Sequence, residues 1–250
     1  DITGALIARA IEADVYENWT DVSGVLMADP RIVEDPEVID IITYNELREL
    51  SYMGATVLHE DAIFPVRLMG IPINIRNTNK PEDPGTMIVA SAEGAGKNVI
   101  TGIAGKPGFS SITIEKDMMN SEVGFTRKVL SVLESEGISF EHMPSGIDTL
   151  SIILATPVLE GKKERILRAI CDAVSPDSVF VEDSIALIAV VGRGMVKAKG
   201  TAARIFNAMA SAGINIRMID QGSSELNIVV GVDEHDFEEA IRAIYAEFTK

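Results

Sequence analysis

The sequence predicts an α/β fold in several units, and three observations carry that prediction. With 250 residues, 46% of them apolar and 24% charged, the chain is long enough for two or three domains that each bury a core. Residues 1–92 alternate between helix-type and strand-type apolar patterns. Two stretches in the remaining part align on each other without a gap at an offset of 76 residues.

Taken in order, "DITGALIARAIEA" reads as a helix over 2–13, so the chain is expected to begin within a domain. "VYENW" follows as a strand and gives way to a polar loop. "TYNE", Thr43 to Glu46, fits a capping box and starts a helix that ends near Gly54. A further helix over 61–69 ends on Gly70, and "IPINI" forms the next strand. Ligands of open α/β sheets gather outside the carboxyl ends of strands, and Thr20 and Asp21 follow "VYENW" at such a place. On spacing alone turn chemistry is the favoured reading, because Asp-Val-Ser-Gly and Ala-Asp-Pro-Arg make good turns in any protein. "GAGK", 94–97, lies between "MIVASAE" and "NVITGIA". A phosphate loop needs a strand before it and a helix after it, so this stretch reads as a linker.

The repeat fixes the rest. Gly124 falls on Gly200, Val129 on Ile205, Leu133 on Met209, Gly137 on Gly213, Leu150 on Leu226 and Ile152 on Ile228. Apolar spacing predicts helices over 124–136 and 200–212, each closed by a glycine. "GISFEHMPSGID" and "GINIRMIDQGSS" then supply strands at 138–143 and 214–219, followed by turns and second strands at 150–155 and 226–231. "SITIE" (111–115) and "IALIAVV" (185–191) precede the helices, and amphipathic helices over 160–174 and 234–247 follow the second strands. The pattern is β-α-β-β-α in duplicate, which is ferredoxin-like. "VFVE", 179–182, closes the first copy, and "NVITGIA", 98–104, is a candidate closing strand for the second. The predicted units are 1–92, 93–183 and 184–250, with the two repeats forming separate sheets that touch.

Composition narrows function. A net charge of −16 disfavours tracking of a nucleic-acid backbone, which needs clustered Lys and Arg. No apolar run approaches 18 residues and no basic-then-apolar leader opens the chain, so neither a membrane partner nor a signal peptide is expected. Cys171 is the sole cysteine, which makes a reducing cytoplasm the default; its place in "RILRAICDAV" suggests packing. His59, His142 and His235 have no metal-ligand spacing, so no metal site is expected.

Several stretches carry a family likeness. "VVGRGM" with "GTAARIFNAMASAGINIRMIDQGSSELNIVV" resembles the second ACT domain of aspartokinases, ACT domains being small modules that bind amino acids. "WTDVSGVLMADPRIV", "LSYMGATVLH" and "IPINIRNTNKPEDPGTMI" resemble the last third of the aspartokinase catalytic domain. The likeness runs over essentially the whole chain. It implies a partial amino-acid-kinase (carbamate-kinase-like) α/β domain followed by two ferredoxin-like βαββαβ ACT domains. It further implies transfer of the ATP γ-phosphoryl group to the β-carboxylate of L-aspartate, with Mg2+ accompanying ATP in the full-length enzyme. Thr20 and Asp21 match the family's nucleoside contacts, Arg31 its phosphate contact, and Asp1 the aspartate that closes its Gly-Gly-Ser-Asp. Arginine suits phosphate because its planar fork binds two oxygens and keeps its charge. Leu26 stands where many members have tyrosine, and Thr56 where many have lysine. The family's Lys-x-Gly-Gly motif does not occur, so this chain alone is expected to be inactive and to hold no cofactor.

The resemblance also places an effector. In such ACT pairs an amino acid sits between modules, where open backbone N–H and C=O groups suit a zwitterion. The matching positions are Met119, Asn120, Ser121, Gly124 and Phe125 at the start of a helix, with Ser139, Phe140 and Glu141 on the neighbouring strand. Glu141 could pair with a lysine ammonium; lysine is the favoured effector and threonine the next. Read without the family, the two phenylalanines are core and Glu141 is solvated. Gln221, Ser223, Ser224 and Asn227 are expected to serve module pairing. A homodimer through the ACT modules follows, because exposed sheet edges favour two-fold contacts. The competing reading is a non-catalytic amino-acid-sensing subunit acting on a separate kinase, against which the crevice of residues 1–92 speaks.

Overall fold

The computed structural model describes residues 1–55, 60–92 and 98–249. Thr56, His59 and "GAGK" at 94–97 lie outside the described residues. Among the described residues no helix is long and apolar enough to cross a membrane.

The first unit runs α1 (Ile2–Ala10), β1 (Tyr16–Thr20), β2 (Ile41–Thr43), α2 (Tyr44–Tyr52), α3 (Glu60–Arg67), β3 (Ile73–Asn77) and β4 (Thr86–Val89). Its sheet has the order β1-β3-β4-β2, with β1 parallel to β3 and β2 parallel to β4. The capping box closes as its sequence requires: Thr43 N–H donates to the Glu46 carboxylate at 2.9 Å, and Glu46 N–H to Thr43 Oγ1 at 3.3 Å. Tyr44, Leu47 and Leu50 of α2 are buried.

The repeats form β5 (Gly102–Glu115), α4 (Phe125–Ser135), β6 (Thr149–Ala155), α5 (Lys163–Val174), β7 (Ser178–Val191), α6 (Thr201–Ser211), β8 (Met218–Asp220), β9 (Asn227–Asp233) and α7 (Phe237–Phe248). The expectation of separate sheets is corrected here. One five-stranded sheet of order β6-β5-β7-β9-β8 serves both repeats. The reason is the length of β5 and β7: each is 14 residues long and they pair antiparallel from end to end. β6 pairs with Phe109–Glu115 of β5, whereas β9 pairs with Ile185–Val191 of β7. Register shifts between Lys106 and Ser111 mark the passage from one repeat to the other.

"VFVE" and "IALIAVV" are thus two halves of one strand, and Gly102–Lys106 runs against Leu187–Val191. The expected strand at 138–143 is reduced to isolated bridges, His142 to Ile153 and Ser145 to Leu150. Pro144 has no N–H to give a ladder there. The strand expected at 214–219 narrows to Met218–Asp220.

Two apolar cores result. One joins β5 and β6 to α4 and α5 through Ile112, Ile114, Val129, Leu133, Ile152, Ile166 and Ile170. The other runs from the first unit into the second repeat, including Leu47, Leu50, Leu187, Val190, Ile205 and Ile241. Seven consecutive β7 residues, 185–191, are buried, so both faces of that half are covered. Cys171 is exposed rather than packed, because Ile166, Ile170 and Val174 take the buried face of α5.

Candidate functional site

Two places carry the residues singled out by sequence. The first is the crevice at the carboxyl end of β1. The carbonyl of Thr20 accepts from Thr78 N–H and Oγ1, both at 2.8 Å, and its hydroxyl donates to Asp21 at 3.2 Å. Asp21 itself is exposed. Ser23 donates to Asp83 at 2.5 Å and receives Asn77 Nδ2 at 2.8 Å, which ties the β1 exit to the β3 exit. Asp1 is held by buried Asn18, two residues before Thr20 on β1, whose Nδ2 donates to the Asp1 carboxylate at 3.0 Å. Arg31 lies on a turn in which Nε and Nη2 fork onto Asp29 at 3.0 and 2.6 Å. That pairing holds the Asp29 carboxyl below the ordinary carboxylate value. Its guanidinium is exposed, so the fork is open to exchange for another anion. Leu26 is half-buried and bridges to Val38.

The second place is the start of α4. A short 3-10 turn, Met119–Ser121, leads into it, with Met118 at φ 62° and Gly124 at φ 81°. No side chain caps α4, and Asn120 and Ser121 are exposed beside its positive end. The side chains of Met119 and Phe125 are buried in the first repeat's core, so they offer a ligand backbone only. Ser139 and Phe140 are exposed and line an open groove of about 960 Å³ along α4 with Arg127, Leu130 and Glu134. Glu141 is half-buried and accepts the Tyr52 hydroxyl, and this bond together with desolvation pushes the Tyr52 phenol up to about 12.

Pattern reading missed how much of α2 faces the repeats. Glu46, fully buried, accepts Thr101 Oγ1 at 2.5 Å, Arg193 N–H at 2.8 Å and Arg193 Nη1 at 3.0 Å. Burial raises its pKa, but the hydrogen bonds from Thr101, Arg193 and Thr43 outweigh this and hold it below the ordinary value. Glu49 accepts Asn227 Nδ2 at 2.7 Å. The capping box was visible in sequence, but nothing local announced that the same glutamate would meet Arg193. His142, nearby, contacts Asp220 of β8 at 2.6 Å and so joins the repeats.

Residues 1–77 match the amino acid kinase family, and residues 188–248 match the ACT domain. Fold and matches together define the class, a kinase-type α/β segment joined to an ACT-type module. The chain is 44% identical to aspartokinase 3 of Bacillus subtilis (strain 168) over 99% of its own length and 55% of that protein. The solved aspartate kinase of Clostridium acetobutylicum superposes at a TM-score of 0.94 with 57% identity, covering 99% of this chain and 57% of that one. E. coli aspartokinase III superposes at 0.81 in its complex with aspartate and ADP and at 0.77 in its complex with lysine and aspartate. Those two likenesses are at 27% and 26% identity and each cover 55% of that protein's chain. The chain is similar to aspartokinases along 99% of its own length, and it spans a little over half the length of these relatives.

Proposed function

We propose that this chain is the regulatory part, with an adjoining piece of the kinase domain, of an aspartate kinase under amino-acid feedback. In that reaction a β-carboxylate oxygen of L-aspartate attacks the γ-phosphorus of ATP. The bond to the bridging oxygen breaks, ADP departs, and an acyl phosphate remains. Such transfer rests chiefly on positioning and charge compensation. Thr20 and Asp21, at the exit of β1, would hold the nucleoside, and Arg31 would leave Asp29 to fork onto phosphate. Asp1, whose carboxylate accepts a hydrogen bond from Asn18, would orient the reacting groups. Magnesium would enter with the triphosphate, since that ion is held by one or two carboxylates plus substrate phosphates; exposed Asp21 is one carboxylate at this crevice.

The effector, lysine ahead of threonine, would place its carboxylate at the α4 start among Asn120, Ser121 and Gly124. Ser139 and Phe140 would flank it, with its side-chain ammonium at Glu141. Met119 and Phe125 would support the site from the core. Pairing of two copies through the ACT-type modules and a cytoplasmic setting complete the proposal. The observation that carries it is colinear similarity to aspartokinases across 99% of the chain. Joined to the missing part of the kinase domain, the chain should release ADP from ATP only when aspartate is present. Asp21→Ala should raise the KM for ATP roughly tenfold or more, as loss of a charge-assisted contact implies. Silence of the longer protein with aspartate and ATP would overturn the enzyme reading.

A further inference from the structure

Glu46, Glu49 and Tyr52 stand three residues apart along α2, so they share one face of the helix. Each reaches a different regulatory element. Glu46 holds Thr101 and Arg193, Glu49 holds Asn227 at the start of β9, and Tyr52 holds Glu141 of the first repeat. Leu47 and Leu50 are buried in the core that the first unit shares with the second repeat. The helix leaves β2 without a loop, Thr43 being both strand end and helix cap, so its orientation is passed directly to the kinase-type sheet.

The two ends of this face differ in kind. Glu46 is fully buried and multiply bonded, which makes it a fixed pivot. Tyr52 is 58% exposed and its side chain holds Glu141 through one hydroxyl; Lys106 Nζ lies over its ring at 5.1 Å and donates to its carbonyl at 3.3 Å. We infer that α2 is the relay between effector and kinase segment, and that Tyr52 and the effector ammonium compete for Glu141. This rests on the effector reading proposed above. An ammonium pairs with a carboxylate more strongly than a neutral phenol does. Effector binding therefore detaches Tyr52, and the last turn of α2 is released while its first turn stays pinned.

Calorimetric titration of lysine into the 250-residue chain and into Tyr52→Phe tests the competition, because the variant keeps the ring and loses only the competing hydroxyl. The variant should bind lysine about three- to tenfold more tightly, the usual net worth of one hydrogen bond. In the unaltered chain, lysine should also quicken amide exchange at 50–55 and leave 44–47 unchanged. Equal affinity of the two proteins, or unchanged exchange at 50–55 on binding, overturns the relay while leaving the effector site standing. No heat with lysine, threonine or methionine overturns the effector reading and the relay together.

Discussion

Glu46 is a carboxylate with no exposed surface, sustained by an arginine, a threonine and its own capping box. Breaking such a pair by removing one partner is costly, because the other is left without compensation. Glu46→Ala is expected to lower unfolding stability by about 3 kcal/mol in urea titration. Glu46→Gln, which keeps most of the shape, should cost about half as much. The lowered pKa of Glu46 fixes the sign of its pH effect. Its contribution is fully present above the ordinary carboxylate value of 4.5 and is lost as pH falls through the lowered folded value. Urea midpoints of Glu46→Gln and the unaltered chain should therefore converge on acidification; a gap that widens would refute the assignment. Cys171, exposed on α5, should react with a thiol reagent in the folded chain at the rate of an unprotected cysteine.

The β5–β7 ribbon is the element on which the repeats hang, and sequence disclosed its halves but not its continuity. "IALIAVV" is an unbroken apolar run, and its burial on both faces follows from that composition. The join was hidden at Asp183 and Ser184. Ser184 has φ 61° and sits where the pairing shifts from Glu182–Ser111 to Ile185–Phe109. A polar pair ending in a left-handed residue fits a strand break and a β-bulge equally well, so local pattern could not choose between them. Close approach supplies a test at the far end of the ribbon. A Cβ on Gly192 would lie 2.7 Å from Ile100 Cα and 2.8 Å from both Thr101 N and Val99 O. Gly192→Ala must push the 98–101 segment away and is expected to cost about 1–3 kcal/mol, the usual range for overpacking. A neutral result in urea titration would mean that the segment is not held against the "GRG" turn.

At the scale of the molecule, the described residues form two apolar cores: the first repeat keeps its own, while the kinase-type unit and the second repeat share the other. Ile170→Ala, fully buried in the first, should cost about 3 kcal/mol. It should raise exchange at Ile112, Ile114 and Ile152 more than at Leu187 and Val190. Equal acceleration in both would show one cooperative unit. The sequence by itself determined the helices, the duplicated order of elements and the positions of Thr20, Asp21 and Gly124, because periodicity, caps and glycines act over a few residues. Only the tertiary structure decided that the repeats share a sheet, that Met119 and Phe125 turn inward, and that Glu46, Glu49 and Tyr52 face Arg193, Asn227 and Glu141. Those pairings join residues 89 to 178 positions apart, and side chains that distant meet only when strand register and helix packing bring them together.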